Sequence, residues 1–287
     1  MGKGFPAAVD EAEDLGNTAL QMFTHNPSQW RIKPIAPERA EAFLDRRKDS
    51  AIRYAVAHTM YLLNLASPDD ALHEKSIDAL TEEVRRAGQL RLEGIVTHLG
   101  AHVGSGKARG IGRIVEALDR VRASAAFEEA GGLRVLLENT AGSGTTIGEA
   151  FEDLAEILSR LEDPEAFGVC LDTAHAFAAG YDLRSLDAVE ATLEAFDRTV
   201  GGSRLGLIHL NDSKYALASR RDRHEHIGHG EIGSDGLGAL IQHPDVEGVP
   251  IILETPKEID GREDADRMNL ATVRMLVAGA ADEGEER

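Results

Sequence analysis

The chain has 287 residues, 42% of them hydrophobic and 28% charged, which suffices for a (β/α)8 barrel of about 250 residues. The single cysteine, Cys170, excludes an internal disulfide, and the sequence shows neither an apolar run of membrane-spanning length nor the apolar core of a signal peptide. We therefore expect a cytoplasmic protein. The formal charge of −19 argues against a broadly basic surface but does not exclude local binding of nucleic acid.

Short apolar runs alternate with amphipathic stretches along the chain. Continuous apolar runs bounded by polar residues are typical of parallel strands that are buried on both faces. The predicted strands are Thr18–Thr24, Tyr54–Thr59, Gly94–Leu99, Arg134–Thr140, Phe167–Thr173, Arg204–Asp212 and Pro250–Pro256. The predicted helices include Phe5–Leu15, Asp70–Ala87, Ile111–Ala130 and Thr146–Leu161. The alternation predicts a parallel α/β fold of the TIM-type (β/α)8 class.

The pattern continues over residues 1–278 without a linker or repeat, so we expect a single TIM-barrel domain there. The small, charged segment 279–287 is predicted to be a flexible acidic tail. A complete barrel has eight strands, and one more would be expected before the helix at Phe5–Leu15, where this chain begins. We therefore expect the first strand of the barrel to be missing from this chain.

Metal-binding residue types stand at the ends of nearly all predicted strands. In a TIM barrel the carboxyl ends of the strands meet at one face, where active sites lie, so residues distant in sequence converge there. Two local motifs add to the set: His175 lies on the turn after Asp172, and the i, i+2 spacing of Asp222 and His224 places both side chains on one side of an extended segment. The predicted metal ligands are His58, His98, Glu138, Asp172, His175, His209, Asp222, His224 and Glu254.

Imidazole and carboxylate groups suit Zn²⁺ well and Mn²⁺ acceptably. Nine such ligands exceed what two catalytic zinc ions need, whereas three ions with one bridging carboxylate fit the number. Taken singly, each residue has another interpretation: His58 as a satisfied core histidine, Glu138 as the partner of an arginine, and Asp172 as a helix cap. Because all strand ends would have to be explained in this way at once, we favour the metal cluster.

The motifs around these residues resemble the endonuclease IV family of apurinic/apyrimidinic endonucleases. The resemblance extends from about Phe5 to Val277 and depends on several specific segments. These are Gln21–Trp30, Tyr61–Asn64, Leu136–Gly142, Val169–His175, Ala176–Asp182, His209–Ser213, Asp222–Gly228 and Ile251–Thr255.

The resemblance implies a three-zinc site. His58, His98 and Glu138 would hold one zinc ion, and Glu138 would bridge to a second. Asp172, His209 and Glu254 would complete the second site, and the third would consist of His175, Asp222 and His224. Zinc lowers the pKa of bound water to about 7, so such a cluster needs no Ser or Cys nucleophile. Glu138 and Glu254 are the predicted catalytic residues, Glu254 also steering the proton of the nucleophile.

The family hydrolyses the phosphodiester 5′ to an abasic site, leaving a 3′-hydroxyl and a 5′-deoxyribose phosphate, and trims blocked 3′ ends. The implied partner is double-stranded DNA carrying such damage, bound by a monomer. Side chains matching the family's DNA contacts are Asn26, Gln29 and Trp30 in one segment and Tyr61 and Leu62 in another. Ordinary packing is the other interpretation of these five.

The chain departs from the family pattern at several positions. Ser28 stands where the family usually has a basic residue, Leu99 where it has proline, and the N-terminal Gly-Ala-His-Val-Ser strand is missing. Two other functions remain open: a metal-dependent sugar isomerase or epimerase on a related barrel, and a catalytically inactive relic. The pair Asp222 and His224 and the segment from Asn26 to Trp30 favour the endonuclease, because an isomerase needs neither.

Overall fold

The computed structural model describes residues 4–259 and 265–284, with side chains up to residue 279. The chain divides into two compact units. The first unit comprises Met1–Glu138, Gly144–Gly148 and Asp153–Cys170, and the second comprises Asn139–Ser143, Glu149–Glu152 and Leu171–Arg287. Among the described residues, no helix is both long and apolar enough to cross a membrane.

Seven strands follow one another in chain order within one sheet, and a further pair forms a separate antiparallel ladder. The sheet contains β1 (Ala19–Met22), β2 (Tyr54–His58), β3 (Gly94–Thr97), β4 (Arg134–Glu138), β5 (Phe167–Asp172), β6 (Leu205–His209) and β9 (Ile251–Ile252). The short ladder pairs β7 (Asp212–Ser213) with β8 (His224–Glu225). The described part of the chain therefore holds seven of the eight parallel strands of a TIM barrel.

Helices follow the strands, as expected of repeated βα units. They are α1 (Phe5–Asp14), α2 (Pro37–Lys48), α3 (Asp70–Gln89), α4 (Lys107–Arg122), α5 (Ala125–Ala130), α6 (Phe151–Arg160), α7 (Thr173–Ala179), α8 (Leu186–Thr199), α9 (Gly233–Ile241) and α10 (Ala265–Gly284). Short 3-10 turns lie at Pro164–Ala166, Gly202–Arg204 and Pro244–Val246.

The first unit contains a parallel ladder from β1 to β4 that continues into β5, and β6 pairs in parallel with β9 in the second. The β2 residues Ala55, Val56 and Ala57 are completely buried, as expected of a strand covered on both faces. Polar residues terminate several strands: β2 ends at His58, β4 at Glu138, β5 at Asp172 and β6 at His209. The apolar runs thus determine where these polar side chains emerge.

Two predicted helices had incorrect bounds. The predicted helix Ile111–Ala130 is two helices, because the Ser124 hydroxyl accepts a hydrogen bond from the Phe127 N–H and starts a new one. The predicted helix Thr146–Leu161 begins only at Phe151. Residues before it belong to a turn in which Gly148 has a φ of +100°, a conformation that side-chain-bearing residues rarely adopt.

Two further segments differ from their predictions. The predicted strand Arg204–Asp212 stops at His209, and Asp212 belongs to the separate β7–β8 ladder. The last helix continues to Gly284, so the backbone of residues 279–284 is helical, and the flexibility predicted for residues 279–287 stays a prediction. Residues 285–287 lie outside the described part of the chain.

Candidate metal centre

The first unit gathers three of the predicted ligands. His58, His98 and Glu138 each offer a ligand atom within 4.8 Å of the others. The Nε2 atom of His58 lies 3.1 Å from Glu138 Oε2, and the Nδ1 atom of His98 lies 3.4 Å from the same oxygen. Glu138 is completely buried and His58 nearly so. A buried carboxylate therefore faces two imidazole nitrogens at the ends of adjacent strands.

The orientation of His58 is fixed by the backbone. Its Nδ1 lies 2.8 Å from the carbonyl oxygen of Thr59, so Nδ1–H donates there and the neutral ring keeps its lone pair on Nε2. That lone pair faces the carboxylate of Glu138, which also only accepts hydrogen bonds. Two acceptors at this distance need a proton or a metal cation between them.

The second unit holds the remaining predicted ligands. Asp172, His175 and His224 offer atoms within 4.8 Å of one another. His175 Nε2 lies 3.2 Å from Asp222 Oδ1, and His224 Nε2 lies 3.5 Å from Asp172 Oδ2 and 3.8 Å from Asp222 Oδ1. The i, i+2 pair Asp222 and His224 therefore contributes two groups to the same place.

Both imidazoles repeat the arrangement of His58. The Nδ1 atom of His175 lies 3.0 Å from the carbonyl oxygen of Asn139, and that of His224 lies 3.1 Å from the carbonyl oxygen of Glu254. Each ring therefore presents an unprotonated Nε2 when it is neutral. The Nε2 atom of His224 is buried and has no hydrogen-bond partner in the described structure. An unpartnered nitrogen among carboxylate oxygens fits a divalent cation.

His209 and Glu254 form a second cluster in this unit together with Asp172. His209 Nδ1 lies 3.2 Å from Glu254 Oε2 and 4.0 Å from Asp172 Oδ2. His209 and Asp172 are completely buried, whereas about a quarter of the Glu254 side chain, 27%, is exposed. Glu254 is therefore the member of this cluster that solvent reaches most easily. Asp172 also caps α7 by accepting a hydrogen bond from the His175 N–H, so the capping interpretation is correct for one of its oxygens.

Two asparagines and a threonine that we did not predict as functional residues hold these ligands. Asn139 exchanges hydrogen bonds with the backbone of Asp172, through its Oδ1 at 2.7 Å and its Nδ2 at 3.0 Å. Asn211 donates from Nδ2 to Asp172 Oδ2 at 2.6 Å and accepts from the Glu254 N–H at 2.8 Å. The Thr173 hydroxyl in turn bonds the backbone of Asn211. Asn139 directly follows the predicted ligand Glu138, and this position was the sequence signal that could have identified it.

Asp212 is a further functional residue that we missed. Its completely buried carboxylate accepts hydrogen bonds from the N–H groups of Ser213, Gly228, Gly230 and Ile232 at 2.8–3.0 Å. Most of these donors come from the segment after His224, so Asp212 anchors the loop that carries this histidine. No local pattern marked this role, because we assigned Asp212 to the end of a strand.

The segments predicted to contact DNA lie in the first unit. Asn26 and Gln29 are exposed and Trp30 is half-buried beneath the Lys75 ammonium, which lies 4.2 Å from the ring centroid. Tyr61 is 62% exposed, and its N–H donates to the Pro27 carbonyl. Leu62 is half-buried. The structure thus joins the two segments and leaves most of their side chains accessible.

Comparisons with known proteins agree with the fold and the motifs. A family model described as "Xylose isomerase-like TIM barrel" matches residues 9–274. A protein of Halothermothrix orenii named "Probable endonuclease 4" is 43% identical over 267 residues, which cover 93% of this chain and 95% of that protein.

Solved structures give the same result. The crystal structure of endonuclease IV from Thermus thermophilus superposes with a TM-score of 0.83 at 35% identity, covering 97% of this chain and 96% of that one. A D-tagatose 3-epimerase-like protein, with a TM-score of 0.73 at 16% identity and 98% and 96% coverage, shares the fold alone. The fold is therefore a TIM barrel, and the chain belongs to the endonuclease IV family.

Proposed function

We propose that this protein is a zinc-dependent DNA repair endonuclease that hydrolyses the phosphodiester 5′ to abasic sites, leaving a 3′-hydroxyl and a 5′-deoxyribose phosphate. The observation that carries the proposal is the orientation of His58, His175 and His224, whose Nδ1 atoms contact backbone carbonyls while Nε2 faces carboxylates. The similarity to proteins named endonuclease 4 supports DNA as the substrate class. We extend the proposal to the trimming of blocked 3′ ends.

Three cations per chain would occupy these groups, with Zn²⁺ the expected metal and Mn²⁺ a possible substitute. His58, His98 and Glu138 would hold one, His175, Asp222 and His224 another, and Asp172, His209 and Glu254 a third. The bridging role of Glu138 rests on the family resemblance. When bound, such cations neutralise phosphate charge and make water a better nucleophile at neutral pH.

The protein's own groups would divide the remaining work. Glu254 is the most accessible carboxylate of its cluster, and its N–H is held by Asn211, so its carboxylate is positioned to accept a proton from the attacking water. Glu138 keeps His58 and His98 oriented within the first group. This division predicts that Glu254 acts on turnover, and that Glu138 acts on turnover through metal retention.

Asn26, Gln29, Trp30, Tyr61 and Leu62 are proposed to contact the damaged duplex. Tyr61 is exposed and joined to the neighbouring segment by its N–H bond to Pro27. An exposed aromatic ring beside an aliphatic side chain can fill the gap that an extruded nucleotide leaves in the stack. We also propose that the protein acts as a cytoplasmic monomer.

A labelled duplex with one reduced abasic analogue tests the activity, since the analogue cannot undergo β-elimination and only hydrolysis can cut it. Metal-loaded protein should nick it on the 5′ side and leave an extendable 3′-hydroxyl. Excess chelator should abolish the cut, and added Zn²⁺ should restore it. The same duplex without the lesion is the control. Absence of a nick with fully metal-loaded protein would refute the proposed function.

A further inference from the structure

A buried Arg–Glu pair on α3 lies behind the two segments proposed to contact DNA. Glu83 is completely buried and Arg86, one helical turn later, is 5% exposed. Burying two charged side chains is costly unless each finds partners. Their partners lie in the segment after β1 and at the start of the segment after β2.

Arg86 binds both ends of one of these segments. Its Nε donates to the Thr24 hydroxyl at 3.0 Å, and its two terminal nitrogens donate to the carbonyl oxygens of Thr24 and Lys33. Thr24 precedes the exposed residues 26–30 and Lys33 follows them, so one guanidinium closes the base of this segment. A guanidinium has five donors in a fixed fork, and an ammonium cannot span two such acceptors equally well.

Glu83 connects the same segment to the next one. Its Oε1 accepts a hydrogen bond from the Met60 N–H at 2.9 Å and lies 3.2 Å from His25 Nε2. Met60 precedes Tyr61, and His25 precedes Asn26. Lys75, on the same stripe of α3 as Arg86 at i, i+11, covers the ring of Trp30.

We propose that Arg86 and Glu83 are positioning residues that hold residues 25–33 and Tyr61 in the geometry that binds damaged DNA. The effect on DNA binding rests on the proposed function, whereas the fixing of residues 25–33 and Tyr61 by Arg86 and Glu83 does not. Neither side chain is proposed to touch DNA itself, and each acts through the backbone of the residues that do. Small displacements of binding groups are costly, because orientation contributes strongly to productive binding.

Trp30 provides a direct readout, since it is the single tryptophan of the chain and lies within the clamped segment. Acrylamide quenching of its fluorescence, with the metal-loaded protein, should rise about twofold in Arg86→Gln as the segment loosens. The matched control is Arg134→Gln, which removes an arginine that donates to the Phe167 carbonyl at the start of β5. Its quenching should stay at the wild-type value.

Kinetics on the labelled abasic duplex test the consequence. Arg86→Gln and Glu83→Gln should raise KM by about tenfold with kcat changed less than about threefold, because they disturb binding rather than chemistry. Arg86→Lys keeps the charge, so its KM should lie between those of the wild type and Arg86→Gln. This variant also provides the test if Arg86→Gln does not fold.

Wild-type quenching in both Arg86 variants would overturn the clamp. Increased quenching of Trp30 together with an unchanged KM would overturn the role of Arg86 and Glu83 in DNA binding. A wild-type protein that never cuts the duplex would instead refute the proposed function, and the quenching comparison would still decide whether the clamp exists.

Discussion

The two groups of proposed metal ligands are supported differently by the fold. In the first unit, His58 and Glu138 are the last residues of strands β2 and β4, and their backbone belongs to a parallel ladder. In the second unit, Asp222 and His224 come from a long connection after β6, held by the β7–β8 ladder and by Asp212. The proposed ligands at strand ends thus receive their geometry from the sheet, whereas those in the loop depend on a dedicated buried anchor. The loop-borne site should be the easier one to lose.

The largest effect is expected when the central carboxylate of the first group, His58, His98 and Glu138, is removed. Glu138→Ala should reduce cleavage of the abasic duplex by at least about a thousandfold, since His58 and His98 lose the anion that completes their site. Elemental analysis should show the first-group metal gone, while His175 and His224 keep theirs. Glu129→Ala, on α5, is the control. Full metal content in Glu138→Ala would contradict the assignment.

The second prediction concerns Glu254, which is proposed both to bind metal and to accept a proton. Glu254→Gln keeps the shape of the side chain but removes the base and weakens the ligand, so kcat should fall by about a hundredfold or more while KM changes little. Steady-state cleavage measures both constants, and Glu258→Gln is the matched control from the same stretch of chain. A Glu254→Gln enzyme with wild-type turnover would remove Glu254 from the catalytic machinery.

Asp212 tests the anchored loop directly. In the wild type, the N–H donors share the two charged oxygens of the Asp212 carboxylate. Asp212→Asn leaves them one neutral amide oxygen, so we expect the free energy of unfolding to fall by about 2–3 kcal/mol. The metal held by His224 should be lost first on titration with chelator.

Asp153→Asn is the control for Asp212→Asn, because Asp153 is also buried, binds Lys107 and accepts the Gly148 N–H, but lies in the first unit. It should destabilise the fold without weakening metal retention by His224. Equal chelator sensitivity in the two variants would mean that the loop does not depend on its own anchor.

The strand that carries His58 begins at Tyr54, whose pKa is raised to about 12 by burial and, to a lesser degree, by the neighbouring Cys170 and Glu93. Because the folded state disfavours the phenolate, this stabilisation is complete below pH 10 and is lost as the pH rises from about 10 to 12. Tyr54→Phe cannot ionise, so its unfolding free energy should fall less over this range, by up to about 2 kcal/mol. Chemical denaturation of the wild type and of Tyr54→Phe at pH 8 and pH 11 measures this difference. Equal losses of unfolding free energy in the two proteins would contradict the prediction.

The positions of the strands were well predicted because they depend on local composition, although several predicted strands extend past the residue at which the strand ends. An apolar run that stops at a histidine or acid gives the position of the residue and, through the parallel fold, its neighbours; His58, Glu138, Asp172 and His209 all lie where the runs end. The fold class followed from the same alternation, and the matching family model and the superposed Thermus thermophilus structure confirmed it.

Features that depend on long-range hydrogen bonds were not predictable. Asp212 accepts from N–H groups at positions 228 to 232, and no local pattern marks an acid that binds a distant backbone. The break at Ser124 has a different cause, because its hydroxyl cap is a local bond from the Phe127 N–H, but the apolar periodicity that we followed continues across it. Arg86 was overlooked because an arginine in an amphipathic helix is normally solvated.

Metal stoichiometry tests the central claim most directly. Protein purified without chelator and loaded with excess Zn²⁺, then desalted, should contain about three zinc ions per chain by elemental analysis, if the nine proposed nitrogen and oxygen ligands bind metal as three groups. His224→Ala should contain about two, and His102→Ala, a histidine outside the ligand set, should keep three. A loaded wild-type protein that holds one ion or none would contradict the three-metal account.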